Sequence, residues 1–111
     1  MQMNLFRTFK DKNSREIMPG FHGKFEHSEK ATLAFWEIDE EAELPSHNHP
    51  HEQIATVYKG RFELTIDGET RILEPGMVAT IPSNAIHSGR AITDCEITDV
   101  FVPVREDYIF D

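Results

Sequence analysis

Arg61-Phe62-Glu63-Leu64-Thr65-Ile66-Asp67-Gly68-Glu69-Thr70-Arg71-Ile72-Leu73 reads as two short strands meeting at a tight turn. Phe62, Leu64 and Ile66 alternate with Glu63 and Thr65, the period of a strand with one buried face. Asp67-Gly68 is the strongest short hairpin signal, because both central residues of a type I′ turn need positive φ. Downstream, Glu74-Pro75-Gly76 turns the chain into a strand over 77–81. The stretch 82–86 is a loop, and strands over 87–92 and 95–102 follow. Upstream, 53–58 is a strand stopped at Gly60. Phe21 to Glu26 and Thr32 to Ile38 flank the polar turn His27-Ser28-Glu29-Lys30. Helix periodicity is absent. About eight or nine short strands at close spacing predict an all-β fold, a small antiparallel barrel or double-sheet jelly roll. Residues 1–12 are open to two readings, an added edge strand or a contact with a partner subunit through Phe6 and Phe9.

The chain has 111 residues, read as a single domain over 1–111. A domain of this size buries roughly two thirds of its unfolded surface and needs no covalent staples. Lys and Arg number 11 against 20 Asp and Glu, for a net charge of −9. That sign repels a phosphate backbone and an anionic bilayer, so neither nucleic acid nor membrane is expected as a partner. An anionic small substrate would need a local cation. The lone Cys95 excludes an internal disulfide framework and a CxxC site. No signal peptide or membrane span is legible, and the expected setting is cytoplasmic.

The stretch Leu44-Pro45-Ser46-His47-Asn48-His49-Pro50-His51-Glu52-Gln53 carries the chemistry. On an extended chain, residues two apart share a face, so His47 and His49 converge and Gln53 keeps their parity. Glu52 then points outward with Ile54, Thr56 and Tyr58, although Pro50 can shift the face by one. His87, after the loop at 82–86, brings a further imidazole from a distant strand. A single loop histidine is usually only solvated. A cluster of this density favours metal. His22 and His27 lack such company and are assigned to surface or core.

His47, His49, Gln53 and Gly60, with one, three and six residues between them, resemble the first motif of the cupins. Gly76, Pro82, Asn84 and His87, with five, one and two between, resemble the second. The resemblance implies a small β-barrel holding one divalent ion on His47, His49, Gln53 and His87. Two glycines of the family pattern are replaced, by Glu41 and Asn84, and an asparagine often found after the last histidine is Ala91. Asn84 tolerates positive φ, so its turn survives. Gln in place of Glu leaves the ion with neutral protein ligands, more electrophilic and receptive to an anionic chelating substrate. Nitrogen and amide oxygen donors suit Zn, Ni, Mn or Fe.

The last strand places Cys95, Ile97, Asp99 and Phe101 on one face and Thr98, Val100 and Val102 on the other. If the first face is interior, Asp99 is a buried carboxylate, which is bound, protonated or functional. If the second is interior, Asp99 faces solvent. Arg105 has the alternative of a surface ion pair with Glu106 or Asp107. The tail Asp99-Val100-Phe101, Pro103, Arg105-Glu106-Asp107-Tyr108, combined with the histidine cluster, is similar to the pectin-degradation cupins of the KdgF type. That resemblance implies an active site containing Asp99, Phe101 and Arg105, a homodimer, and ring opening of 4,5-unsaturated uronate monomers to the linear 5-keto-4-deoxyuronate. Arg105 would then hold the sugar-acid carboxylate. Asp99 would act as base toward the C1 hydroxyl or as acid toward C4, and Phe101 would shape the pocket. Arg90 is a second anion contact to consider. The alternatives are another cupin enzyme, a dioxygenase or a sugar or keto-acid isomerase, or a non-catalytic cupin that binds a small acid.

Overall fold

The structure, a computed structural model, describes residues 4–110. Ten strands form two antiparallel sheets. They are β1 (Arg15–Met18), β2 (Phe21–His27), β3 (Thr32–Ile38), β4 (Glu43–His47), β5 (Glu52–Lys59), β6 (Phe62–Ile66), β7 (Glu69–Leu73), β8 (Val78–Ile81), β9 (His87–Ala91) and β10 (Cys95–Val102). One sheet runs β1-β2-β3-β10-β5-β8 and the other β4-β9-β6-β7. The result is the double-sheet jelly roll rather than a closed ring of strands. No helix among the described residues is long and apolar enough to cross a membrane.

Two strands escaped the sequence pattern. In β1, Arg15 and Glu16 are both exposed and show no alternation. β4 contains Pro45, which demotes a run on sequence grounds. Pro45 is tolerated because β4 is an edge strand, paired only to β9 among the described residues, with an irregular register between Leu44 and His47. Residues 4–12 carry no strand; the edge strand is β1 instead, and Phe9 lies flat on Phe35 at 4.2 Å.

The two inner faces meet in an apolar core. Phe21, Phe25, Trp36 and Ile38 come from the larger sheet, and Phe62, Leu64 and Leu73 from the smaller. Phe21 bridges them, edge-on to Trp36 at 6.1 Å and to Phe62 at 6.5 Å. After β10 the chain turns back through a short 3-10 helix, Glu106–Tyr108. Tyr108 stacks on Phe25 at 4.5 Å and sits edge-on to Phe101. The tail thereby closes one end of the sandwich and brings Arg105 over the space between the sheets.

Positive φ occurs at the turns the sequence pattern marks, Gly60, Asp67-Gly68, Gly76 and Asn84, and also at Gly20 and Glu41, which it does not mark. Asp67 and Gly68 have φ of 47° and 84°, a pair of the type I′ kind. Glu41 and Asn84, at positions where the resemblance implies glycine, adopt φ of 70° and 65°. Gly60 has φ of 90°, and a Cβ there would collide with the Asp94 carbonyl oxygen. Gly60→Ala should therefore lower unfolding stability by at least about 2 kcal/mol, measured by urea denaturation. An unchanged urea midpoint would show that the turn relaxes freely.

Candidate metal centre

Three histidines converge between the sheets. His47 ends β4 and stands directly across the ladder from His87, the first residue of β9. Their rings are 4.2 Å apart, and the His49 ring lies 5.6 Å from His47 and 4.9 Å from His87. The ligating nitrogens fall within 4.8 Å of one another. An ion with bonds of about 2.1 Å to each nitrogen spans nearly that distance.

The way they converge differs from the extended run read in the sequence. The chain leaves the smaller sheet at His47, crosses through residues 48–51 and enters the larger sheet at Glu52. His49 sits on that crossover. Its carbonyl accepts from the Asn84 amide at 2.8 Å, and the Pro50 carbonyl accepts from Ser83 Oγ at 2.6 Å. Gln53 then points inward from β5, with Ile54 and Tyr58 on the outer face. His51 is not one of the three converging histidines, and its Nδ1 has no partner among the described residues.

Each imidazole is oriented by a backbone carbonyl. His47 Nδ1 lies 2.8 Å from Pro45 O, His49 Nδ1 3.0 Å from His51 O, and His87 Nδ1 2.9 Å from Ala85 O. A carbonyl only accepts, so each Nδ1 carries the proton and each Nε2 keeps its lone pair, the arrangement metal-binding histidines use. Burial favours the neutral form of two of the rings, His49 and His87. It pushes His49 down to about 4, helped by the charge of Arg105, and His87 down as well.

One contact tests whether this donor set fits a cation. His49 Nε2 is 3.2 Å from Gln53 Oε1. With Oε1 turned to His49, the N–H group is left on the other side of the Gln53 amide, and its donation favours the charged form of the Asp99 carboxyl. Two lone pairs, one on His49 and one on Gln53, therefore face each other in a buried site. A proton on both His49 nitrogens would relieve this, but burial opposes it. A divalent ion relieves it directly, and the donors fit one.

The interior space is lined by His47, His49, Gln53 and His87 together with Asp99, Phe101 and Arg105. Its volume is about 60 Å³, and its polar lining suits ordered water. Asp99 lies on the buried face of β10 with Cys95, Ile97 and Phe101, and is 7% exposed. Burial pushes its carboxyl up to about 6, against hydrogen bonds from Gln53 and Trp36 and the charge of Arg105. Its Oδ1 has no hydrogen-bond partner among the described residues.

Arg105 does both things the sequence allowed. It lines the cavity, and it pairs with Asp107, donating from Nε to Oδ1 at 3.0 Å and from Nη2 to Oδ2 at 2.7 Å. Its guanidinium stacks over Phe101 at 4.8 Å and Tyr108 at 4.2 Å. Arg90, by contrast, pairs with Glu41 at 3.1 Å and is not part of the cavity wall. His22 bonds Asp39 on the outer surface. His27 has a structural task that the sequence did not reveal. Its Nε2 donates to the Tyr108 carbonyl at 3.1 Å, and its Nδ1 takes the Thr32 hydroxyl at 2.8 Å. Thr32 in turn accepts the Arg105 amide at 2.8 Å. Thr32 and Trp36 bear on the site without any local pattern to mark them; Asp107 and Tyr108 belong to the tail pattern, which assigns neither a role in the site.

The model of the family described as the cupin domain matches residues 34–101, more than half of the chain. The chain belongs to the cupin family. Within 65 residues this cupin is 37% identical to the pectin degradation protein KdgF of Dickeya dadantii (strain 3937). That stretch is 57% of this chain and 59% of the relative, so the match spans less than two thirds of that protein's length. The structure of KdgF from Halomonas sp. superposes with a TM-score of 0.89 at 28% identity, covering 96% of this chain and all of that one. An RmlC-like cupin from Shewanella frigidimarina NCIMB 400 superposes with a TM-score of 0.90 at 25% identity, covering 97% and 98%. The chain is thus a KdgF-like cupin with three histidines placed to hold a metal ion.

Proposed function

We propose that this cupin opens the ring of 4,5-unsaturated uronate monomers, giving the linear 5-keto-4-deoxyuronate, with a divalent ion held by His47, His49, Gln53 and His87. The observation that carries the reading is the meeting, around one cavity, of the histidine cluster, a buried carboxyl with one oxygen unpartnered among the described residues, and an arginine. The likeness to KdgF proteins, one of them a pectin degradation protein, supports it.

The substrate is a cyclic hemiacetal whose ring oxygen sits on the C4–C5 double bond beside a carboxylate. Opening breaks the bond between C1 and the ring oxygen, leaves an aldehyde at C1 and develops enolate charge on the former ring oxygen. One proton leaves the C1 hydroxyl and one arrives at C4, so no redox cofactor or hydrolytic water is consumed. A bound ion supplies electrostatic stabilisation of the oxygen charge. Arg105 supplies the local cation that a chain of net charge −9 needs to take an anionic sugar. Asp99 lines the cavity with one oxygen unpartnered among the described residues, and burial pushes its carboxyl up to about 6, toward the range where it both accepts and gives a proton close to neutrality. Phe101 packs against the His49 ring at 5.8 Å and beneath Arg105, and keeps that wall apolar.

Ring opening removes the conjugated double bond, so the test is loss of ultraviolet absorbance of unsaturated galacturonate monomer on adding the protein. A chelator should stop it, and Zn, Ni, Mn or Fe should restore it. Substrate unchanged by the metal-loaded protein would end the proposal. Arg105→Ala should raise KM by roughly 10- to 100-fold, the worth of charge-assisted hydrogen bonds to a carboxylate, with a smaller change in kcat. Lysine at this position should restore only part, because a point charge lacks the planar fork. An unchanged KM would remove Arg105 from substrate binding.

A further inference from the structure

Arg105 is fixed to a degree unusual for a long side chain. Asp107 takes the Nε and Nη2 edge of its guanidinium, in a paired geometry at 3.0 and 2.7 Å. Two aromatic rings, Phe101 and Tyr108, hold its plane. Its backbone amide is tied to Thr32, which is fully buried and itself tied to His27. The Arg105 side chain is 12% exposed. Among the described residues, Nη1 donates to no protein group, and the guanidinium edge that bears it is the one left for an anion.

We propose that Asp107 is a positioning residue for sugar-acid recognition: by holding one edge of Arg105, it presents the other edge to the carboxylate of the uronate. The proposal rests on the uronate reading above. Asp107 does not touch the substrate in this arrangement and is not displaced by it. It removes the rotamer freedom that Arg105 would otherwise lose on binding, which is how a preorganised site gains affinity.

A simple electrostatic account makes the opposite forecast. Asp107 is an anion near an anion site, and its removal would by Coulomb attraction alone tighten binding of an acid. Positioning predicts weakening. The experiment compares wild type, Asp107→Ala, Asp107→Glu, Arg105→Ala and the double variant Arg105→Ala/Asp107→Ala. Two quantities are read on each. One is KM and kcat on unsaturated galacturonate. The other is the Kd for saturated D-galacturonate, followed by the fluorescence of Trp36, the single tryptophan and part of the cavity wall.

Asp107→Ala should raise KM and Kd by roughly 5- to 20-fold while kcat stays within about twofold, and glutamate should recover part of the loss. In the Arg105→Ala background, removing Asp107 should change neither quantity, because a residue acting through Arg105 has nothing left to act on. The proposal is overturned by tighter or unchanged binding in Asp107→Ala, or by an equal weakening in both backgrounds. If wild type binds galacturonate but leaves the unsaturated sugar intact, the ring-opening reading fails and the Kd series alone decides the role of Asp107. Wild type that binds no uronic acid overturns both.

Discussion

His87→Ala should leave a folded protein that no longer retains a divalent ion and no longer turns over unsaturated uronate. His87 is 2% exposed, its Nδ1 is fixed by the Ala85 carbonyl, and it faces His47 across the ladder. Removing even a group that merely orients a metal ligand typically costs 10- to 100-fold in affinity, so removing the ligand should exceed about 100-fold. The sheets should persist because the core is built from Phe21, Trp36, Phe62, Leu64 and their neighbours rather than from the ion. Metal content by elemental analysis and a cooperative melt are the two readouts. His51→Ala is the matched control. It belongs to the same cluster in sequence but stands apart from the three converging nitrogens, so its variant should retain the ion. Metal retained by His87→Ala, or lost equally from His51→Ala, would mean the ligand set is misassigned.

The contrast between His49 and His51 also shows what the sequence carried. Alternation and turn residues were sufficient for the hairpin at Asp67-Gly68, for β10 with both its ends, and for Gln53 rather than Glu52 on the inner face. These are local properties, and local chemistry decides them. The reason for histidine convergence was not local. The sequence suggested one extended run, whereas the chain changes sheets between His47 and Gln53 and the cluster closes through the pairing of β4 with β9. That pairing joins residues forty positions apart, and β4 itself was hidden by Pro45. The support for Arg105 was hidden for the same reason. Thr32 and His27 lie more than seventy residues away, and nothing in their own neighbourhood distinguishes them from ordinary strand-end polar residues. The interior face of β10 was open on sequence grounds, since both faces hold apolar side chains. Pairing of Asp99 with Ala34 of β3 and Ala55 of β5, both buried, puts it inside.

Asp99→Asn should separate chemistry from binding more sharply than any other single change. Asparagine keeps the shape and a carbonyl oxygen to receive the Gln53 and Trp36 donors, but it cannot carry the transferred proton. If Asp99 moves a proton in ring opening, kcat should fall by roughly 10²- to 10⁴-fold, the usual contribution of general acid–base catalysis. KM should change little, because the carboxylate contact belongs to Arg105. Stability should move the other way. Asp99 is a buried carboxyl with one oxygen unpartnered, and a charge in that position costs the folded state. Its neutral isostere should therefore melt no lower than wild type, and above it if the burial cost outweighs the lost hydrogen bonding. Metal content must be compared in the same samples, since Asp99 and Gln53 line the same cavity and Gln53 acts on the Asp99 carboxyl, so the change could reach the metal through that amide. A variant that loses the ion along with turnover would make Asp99 a positioning group for Gln53 rather than a catalytic residue. Full turnover with the ion retained would show that the proton travels by another group, and the buried carboxyl would then lack any role in the reaction.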